Sequence, residues 1–462
     1  MFELHLNRHS SALPLYAQIV EQLSWHILHG QLKSGEYLPP SRELARQLGV
    51  SRGIVVRAYE TLCAKGLCQS QVGQGTKVIA AATDTMPPVS NIIAPQPVPE
   101  TFLPGGLSLL PSHASTDYLP VSDFRQAFNR ILRYPGRLNQ FEESAGNLEL
   151  RQLICDKILP SRGIIASPSQ VLIVPGTQYG SVLLAMTMMN ERTTFHFGDP
   201  GYLEFAHNFA RFGYQLQPHP MDKEGINLKG FSGSDQDILY MMPEHHFPQC
   251  ITLSASRRQT VIQKARENNI LILEDDYDSE FYFDRVPQPA LRASEAADHI
   301  VYMGTFSKVI FNSMRLGYLV ANEEIIKKMA SLHWSLSRGT SGLLQLWVGE
   351  LIKNGTYERH TKRMRTVYRH KRDTLIQLIQ KYLPNARFTI PSGGLQLYIR
   401  FPDPLLSQKI MQWLQINNIQ TAPSRHYNFT SSVEEPFLIL GFANSETHDV
   451  EIMLQKLQHF LA

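Results

Sequence analysis

Cysteine is scarce in this 462-residue chain: four residues, at 63, 68, 155 and 250, with no Cys-x-x-Cys pair and no metal-type spacing. That pattern argues against a disulfide framework and a cysteine-built metal site, and it suits a reducing compartment. Long apolar runs are lacking too, so no membrane-spanning helix is expected. The first ten residues carry Glu3 inside a broken apolar pattern and do not read as a signal peptide. These absences together lead us to expect a cytoplasmic protein with no metal and no membrane partner.

Net charge is also low, at +3, but it is unevenly placed. Residues 1–79 hold eight Lys/Arg against five Asp/Glu, whereas the rest balances at 36 against 36. The excess positive charge therefore sits in the first sixth of the chain, as a polyanionic partner would require. Between Ala80 and Pro104 there are six prolines, two charges (Asp84 and Glu100) and no sustained apolar period, which reads as a semi-extended linker. The expected organisation is thus a small unit over 1–79, a linker over 80–104 and a large unit over 105–462.

In the small unit Leu15, Ile19, Leu23 and Ile27 recur every four residues and mark an amphipathic helix. Residues 39–65 divide into two short helices around Gly49-Val50, with Ser41 and Ser51 where each helix needs an N-cap. On the second helix Val55, Ala58, Tyr59 and Leu62 share one face, leaving Gly53, Val56 and Arg57 outward and Arg52 at the rim. A helix packed on one side with arginine near its start suits the major groove, where guanidinium meets guanine or phosphate. The segment Cys68 to Val78 then reads as a two-stranded wing with a glycine tip. A helical dimerisation module with solvated arginines is the alternative. The order of elements and the motifs Pro40-Ser-Arg-Glu-Leu-Ala45, Gly49-Val-Ser-Arg52 and Gly73-Gln-Gly-Thr76 resemble the winged helix-turn-helix of GntR regulators. That resemblance implies that Arg42, Ser51, Arg52 and the backbone near Gly73 contact double-stranded DNA. Arg57 is added from helix geometry alone.

In the large unit apolar runs alternate with helical stretches: Val171–Val174, Thr194–Phe197, Ile238–Met242, Ile270–Leu273 and Ile300–Met303. Such alternation predicts an α/β fold with a mostly parallel sheet covered by helices. Three constellations follow strand ends, where open α/β sheets bind ligands. Gly304-Thr-Phe-Ser-Lys308 offers an amine that desolvation can make nucleophilic, with Thr305 and Ser307 available to a phosphate and Arg315 as a nearby cation. Glu274-Asp-Asp-Tyr-Asp278 is a run of acids that also reads as a solvated loop or a metal cluster. Pro175-Gly-Thr-Gln178 opens a helix and forms an anion site from free N–H groups.

The order of the three, with the lysine last, resembles fold-type I pyridoxal-phosphate enzymes. The details resemble the MocR subfamily, in which a GntR domain precedes an aminotransferase-like domain with a smaller C-terminal lobe. The similarity runs nearly end to end, through Ser161-Arg-Gly-Ile164, Gly198-Asp-Pro-Gly-Tyr202, Arg315-Leu-Gly-Tyr318 and Glu358 to Arg365. It implies that Lys308 is the Schiff-base lysine and catalytic residue, that Asp275 pairs with the pyridine nitrogen and that Tyr277 meets the 3-hydroxyl. Tyr202 would stack on the ring, and Thr177, Gln178, Ser307 and Arg315 would hold the phosphate. For a substrate carboxylate, Arg425 and then Arg400 are the candidates, with an ordinary surface arginine equally open for each. The loop Pro243-Glu-His-His-Phe-Pro-Gln-Cys250 departs from the S-H-Q-F-P-S/T-G of relatives at His246, Gln249 and Cys250. The expected function is a homodimeric transcription regulator that senses pyridoxal phosphate, or an amino-acid or amine effector. The alternatives are an active aminotransferase with an accessory DNA-binding module, and a cofactor-free scaffold.

Overall fold

The computed structural model describes residues 14–28, 32, 34–64, 67–71, 75–79, 107–430 and 437–461. The expected linker and Gly73 lie outside these residues, as does the side chain of Arg425. The chain divides into two compact units, Met1–Asn91 and Ile92–Ala462.

The first unit holds helices α1 (Leu15–Leu28), α2 (Ser41–Leu48) and α3 (Arg52–Ala64), then strands β1 (Cys68–Gln71) and β2 (Gly75–Val78). Ile19, Leu23 and Ile27 of α1 bury against Val55, Ala58 and Leu62 of α3, so the four-residue spacing becomes one packed stripe. Helix α2 stops where Gly49 takes a left-handed conformation, φ 62 and ψ 38, which a residue without Cβ adopts freely. The start of α2 differs from expectation. Pro40 occupies the capping position without a side-chain cap, and Ser41 is the first helical residue. Proline fixes the approach to the helix, and the Ser41 hydroxyl instead accepts from Arg52 Nε at 3.4 Å. Strands β1 and β2 pair antiparallel, Cys68 opposite Val78, as a wing.

The second unit is built on an eight-stranded sheet. Its strands are β3 (Val171–Val174), β4 (Thr194–Asp199), β5 (Gln215–Asp222), β6 (Gly225–Ile226), β7 (Asp237–Met241), β8 (Leu271–Asp276), β9 (Ile300–Thr305) and β10 (Gly317–Val320). They lie in the order β3-β10-β9-β8-β7-β4-β5-β6. Pairs from β5 through β4, β7 and β8 to β9 are parallel, while β10 runs antiparallel between β9 and β3. The helices of this unit are α4 (Val121–Leu132), α5 (Leu148–Leu153), α6 (Thr177–Met188), α7 (Leu203–Arg211), α8 (Ala255–Asn268), α9 (Glu323–Ser337), α10 (Gly342–Lys353), α11 (Thr356–Tyr382), α12 (Pro404–Ile416) and α13 (Thr447–Leu461). Both sheet faces are covered. On β3, Val171 and Ile173 join one apolar cluster and Leu172 and Val174 another, which is why that strand reads as an unbroken apolar run.

A smaller antiparallel sheet, β11 (Arg387–Phe388), β12 (Gln396–Arg400), β13 (Ala422–Pro423) and β14 (Phe437–Gly441), lies in the order β11-β12-β14-β13. Leu397, Ile399, Leu438 and Leu440 on one face of it share a core with Leu375 and Ile379 of α11 and Leu454 and Leu457 of α13. No helix among the described residues is long and apolar enough to cross a membrane.

Candidate cofactor site and DNA-reading unit

The carboxyl ends of β3, β8 and β9 open onto a cavity of about 680 Å³. Its wall gathers the nine residues singled out from the sequence: Thr177, Gln178, Tyr202, Asp275, Tyr277, Thr305, Ser307, Lys308 and Arg315. They come from segments up to about 140 positions apart, and parallel strands sharing one sheet edge bring them together. The smaller lobe closes the cavity with Ala422, Tyr427 and Asn444.

At one side lies the start of α6. Gly176 caps that helix at φ 87, and the Arg315 guanidinium lies against it, so a Cβ at this position would come within 2.9 Å of Nη2. Helix N–H groups and a guanidinium facing one space make an anion site. Two more polar atoms beside it, Ser307 Oγ and Gln178 Oε1, are buried with no hydrogen-bond partner among the described residues. Both atoms are therefore available to the hydrogen bonds of a bound anion.

Asp275 closes the cavity at the end of β8. Its Oδ2 accepts from the Tyr240 hydroxyl at 3.0 Å, while Oδ1 is buried without a partner among the described residues. Burial pushes the Asp275 carboxyl up to about 7, with Tyr240 and Lys308 pulling it down and Asp276 and Asp278 pushing it further up. A cationic ring nitrogen beside Oδ1 would stabilise the carboxylate there. The other acids of the run have separate work. Glu274 accepts the N–H groups of Leu291 and Arg292 at 2.7 and 2.9 Å. Asp276 accepts from Arg162 Nε at 2.6 Å and the Tyr302 hydroxyl at 2.8 Å. Asp278 meets His245 Nδ1 at 2.8 Å, and this carboxylate overcomes the effect of burial to hold the His245 ring above its ordinary pKa. No group of three metal-ligating side chains occurs among the described residues.

Tyr277 accepts a hydrogen bond from Gln396 Nε2 at 3.0 Å. Tyr202 stands nearly perpendicular to Phe247, ring centres 6.0 Å apart. Lys308 Nζ donates to the Ser112 carbonyl at 2.7 Å. The unusual loop is held by bonds of its own. Cys250 takes a left-handed φ of 58, a conformation that glycine adopts freely, and its N–H closes the turn onto the His246 carbonyl at 2.6 Å. His246 Nε2 meets the Pro200 carbonyl at 2.9 Å, so the adjacent histidines diverge. Burial holds His246 down to about 4, which makes it a neutral structural group.

Tyr240, Ser112 and Gln396 escaped the sequence reading, because no spacing links them to Asp275, Lys308 or Tyr277. Arg400 does not join the site: it is exposed at the end of β12 remote from Gln396, the residue that touches Tyr277. Arg425 belongs by its backbone to the turn Ser424–His426, between the cavity-lining Ala422 and Tyr427.

In the first unit Arg42, Ser51 and Arg52 are exposed at the facing ends of α2 and α3. Arg57 is exposed as well, but its guanidinium lies 4.1 Å above the Tyr16 ring of α1. The face opposite is buried, with the Tyr59 hydroxyl donating to the Pro39 carbonyl at 2.7 Å.

An amine, an anion pocket and a buried, half-partnered carboxylate around one space fit pyridoxal phosphate, which when bound supplies an aldehyde for amines and an electron-withdrawing ring. Residues 111–457 match the family model for aminotransferase class I and II, and residues 15–78 match that for bacterial regulatory proteins, gntR family. The chain is 28% identical to the probable rhizopine catabolism regulatory protein MocR of Rhizobium meliloti, over 93% of this chain and 90% of that protein. It is 29% identical to the HTH-type pyridoxine biosynthesis transcriptional regulator PdxR of Corynebacterium glutamicum, over 98% and 97% respectively. In fold it is similar to LysN, the alpha-aminoadipate aminotransferase of Thermus thermophilus, with a TM-score of 0.69 at 24% identity, covering 77% of this chain and 92% of LysN. The chain therefore belongs to the aminotransferase class I and II family, in the form that carries a gntR-type helix-turn-helix ahead of that domain, as MocR-type regulators do.

Proposed function

We propose that this chain is a pyridoxal-phosphate-dependent transcription regulator that reads DNA through its first unit and senses the cofactor, or an amino compound reacting with it, through Lys308. The observation that carries this reading is the convergence of the nine residues on one cavity, in a chain whose first unit also has the three helices and two wing strands of a winged helix-turn-helix. Lys308 would hold the cofactor covalently, Asp275 its ring nitrogen and Tyr277 its ring hydroxyl. Tyr202 would cover the ring, and Thr177, Gln178, Thr305, Ser307 and Arg315 would surround the phosphate. Arg42, Ser51 and Arg52 would face the operator, with Gly73 at the wing tip. A ligand alters DNA binding only if it favours one arrangement of the chain over another.

A homodimer is part of the proposal. Phe128, Leu132, Tyr134 and Phe141, on and just after α4, are exposed by 38, 46, 67 and 80%. Exposed apolar side chains along one stretch of chain support an interaction surface, and paired reading helices match paired half-sites. The cytoplasm follows from DNA as partner. A second reading, an aminotransferase with an accessory DNA-binding module, is favoured by the presence of Lys308, Asp275 and Tyr277 together in the cavity. Absorbance of the purified chain during titration with pyridoxal phosphate, then with amino acids and amines, tests the cofactor. A parallel operator titration tests regulation. Visible absorption that moves together with operator affinity is the expected result; absorption changes that leave operator affinity constant favour the enzyme.

A further inference from the structure

Gln396 is a polar side chain with no solvent exposure, between Leu395 and Leu397, which have none either. Burying an amide is unfavourable unless its donors and acceptor are used. Its Nε2 donates to Tyr277 Oη at 3.0 Å. Its Oε1 accepts from the Ser112 N–H at 3.2 Å and the Ser112 hydroxyl at 3.1 Å. The carbonyl of the same Ser112 accepts from Lys308 Nζ at 2.7 Å. Ser112 serves these partners from a left-handed φ of 60, a conformation that non-glycine residues adopt when their surroundings impose it. Tyr277 and Lys308 line one cavity, so the bonds form a circuit that leaves the cavity at Lys308, crosses into the small-lobe sheet at β12 and returns at Tyr277.

We propose that Gln396 is a positioning residue that fixes Tyr277 as a hydrogen-bond donor into the cavity and, through Ser112, sets the acceptor of Lys308. This rests on the reading that Lys308 takes pyridoxal phosphate. Direction is the point of the arrangement. An amide NH₂ only donates, so Tyr277 Oη accepts from Gln396 and its own proton is left for a ring oxygen in the cavity. Accepting that bond also makes the phenol a stronger donor. The titratable groups facing Tyr277 are Asp275 and Asp278 from its own segment, Cys250 from the loop and Tyr240 from β7. Among the described residues the donor to Tyr277 Oη is Gln396.

The test is a pH titration of the absorbance of the cofactor-loaded full-length chain, with cofactor affinity measured by equilibrium dialysis. The variants are Gln396→Met, which removes donor and acceptor at similar volume, and Gln396→Glu, which keeps an acceptor for Ser112 but cannot donate to Tyr277 when ionised. With Tyr277 a weaker donor, a ring oxygen holds the proton on the Lys308 nitrogen more strongly. The absorbance midpoint should therefore rise by about half a unit or more in both variants, the amount one neutral hydrogen bond supplies. If Gln396→Met does not fold, Gln396→Glu carries the comparison. Wild-type midpoints in loaded variants, or a loss of affinity alone, overturn the inference. A wild-type chain whose spectrum ignores pyridoxal phosphate instead overturns the cofactor reading, and this inference with it.

Discussion

If Asp275 pairs with the cofactor's ring nitrogen, as proposed, its burial is a cost that the cofactor-free protein bears. Burial holds its carboxyl up to about 7, against roughly 3.9 in an unfolded chain. The folded state thus keeps a proton that the unfolded state releases. The stabilising contribution is complete below about pH 4 and disappears as pH rises through the folded value of about 7. Asp275→Asn cannot ionise. Without cofactor it should be more stable than the parent at pH 8, by roughly 1–3 kcal/mol, and much closer to it at pH 5. Thermal melts at the two pH values check this, and equal melting at pH 8 would contradict it. Gly176 is the second such residue. Its φ of 87 and the guanidinium of Arg315 leave no room for a methyl group, so Gly176→Ala should weaken cofactor binding about tenfold or more through strain of ~1–2 kcal/mol. Equilibrium dialysis reads the loss, and wild-type affinity would show that Arg315 moves aside freely. The chemistry of these residues was legible because each lies at or just past the carboxyl end of an apolar strand. The partners Tyr240, Ser112 and Gln396 were not, since they act through tertiary contact across separations of 35 to 284 residues.

At the scale of elements, α3 shows how far periodicity reaches. Val55, Ala58, Tyr59 and Leu62 were expected on one face, and all four are buried. The expected cap at Ser41 was displaced because Pro40 already sets the helix start. The five apolar runs are β3, β4, β7, β8 and β9; β3 has the expected ends and the others shift by up to three residues, as where Asp237 opens β7 and Glu274, Asp275 and Asp276 continue β8 beyond the point where hydrophobicity alone would stop it. The antiparallel insertion of β10 between β3 and β9 had no local signal, since strand direction is decided by which neighbours the sheet offers. On α3, Arg52→Ala should weaken operator binding by on the order of 1–3 kcal/mol while leaving the cofactor spectrum unchanged. Arg57→Ala should also destabilise the first unit, by roughly 0.5–1 kcal/mol, because its guanidinium packs on Tyr16. Anisotropy titrations beside melts of the first unit separate the two effects. An Arg52 variant with wild-type operator affinity would remove that residue from the interface.

For the whole molecule, two compact units on either side of a proline-rich stretch predict that limited proteolysis between Asp84 and Thr101 releases a small basic fragment and a large fragment that still binds cofactor. Cleavage spread evenly along the chain would count against that boundary. Lys308 is proposed to serve regulation rather than turnover. The most direct measurement is a reporter assay run beside a transaminase assay on wild type and Lys308→Ala. The variant should lose the visible absorption of the covalently held cofactor, keep its basal operator affinity and lose or blunt its response to the effector, while wild-type turnover stays slight. Substantial wild-type turnover, together with unchanged reporter output in the variant, would make the chain an enzyme and not a regulator.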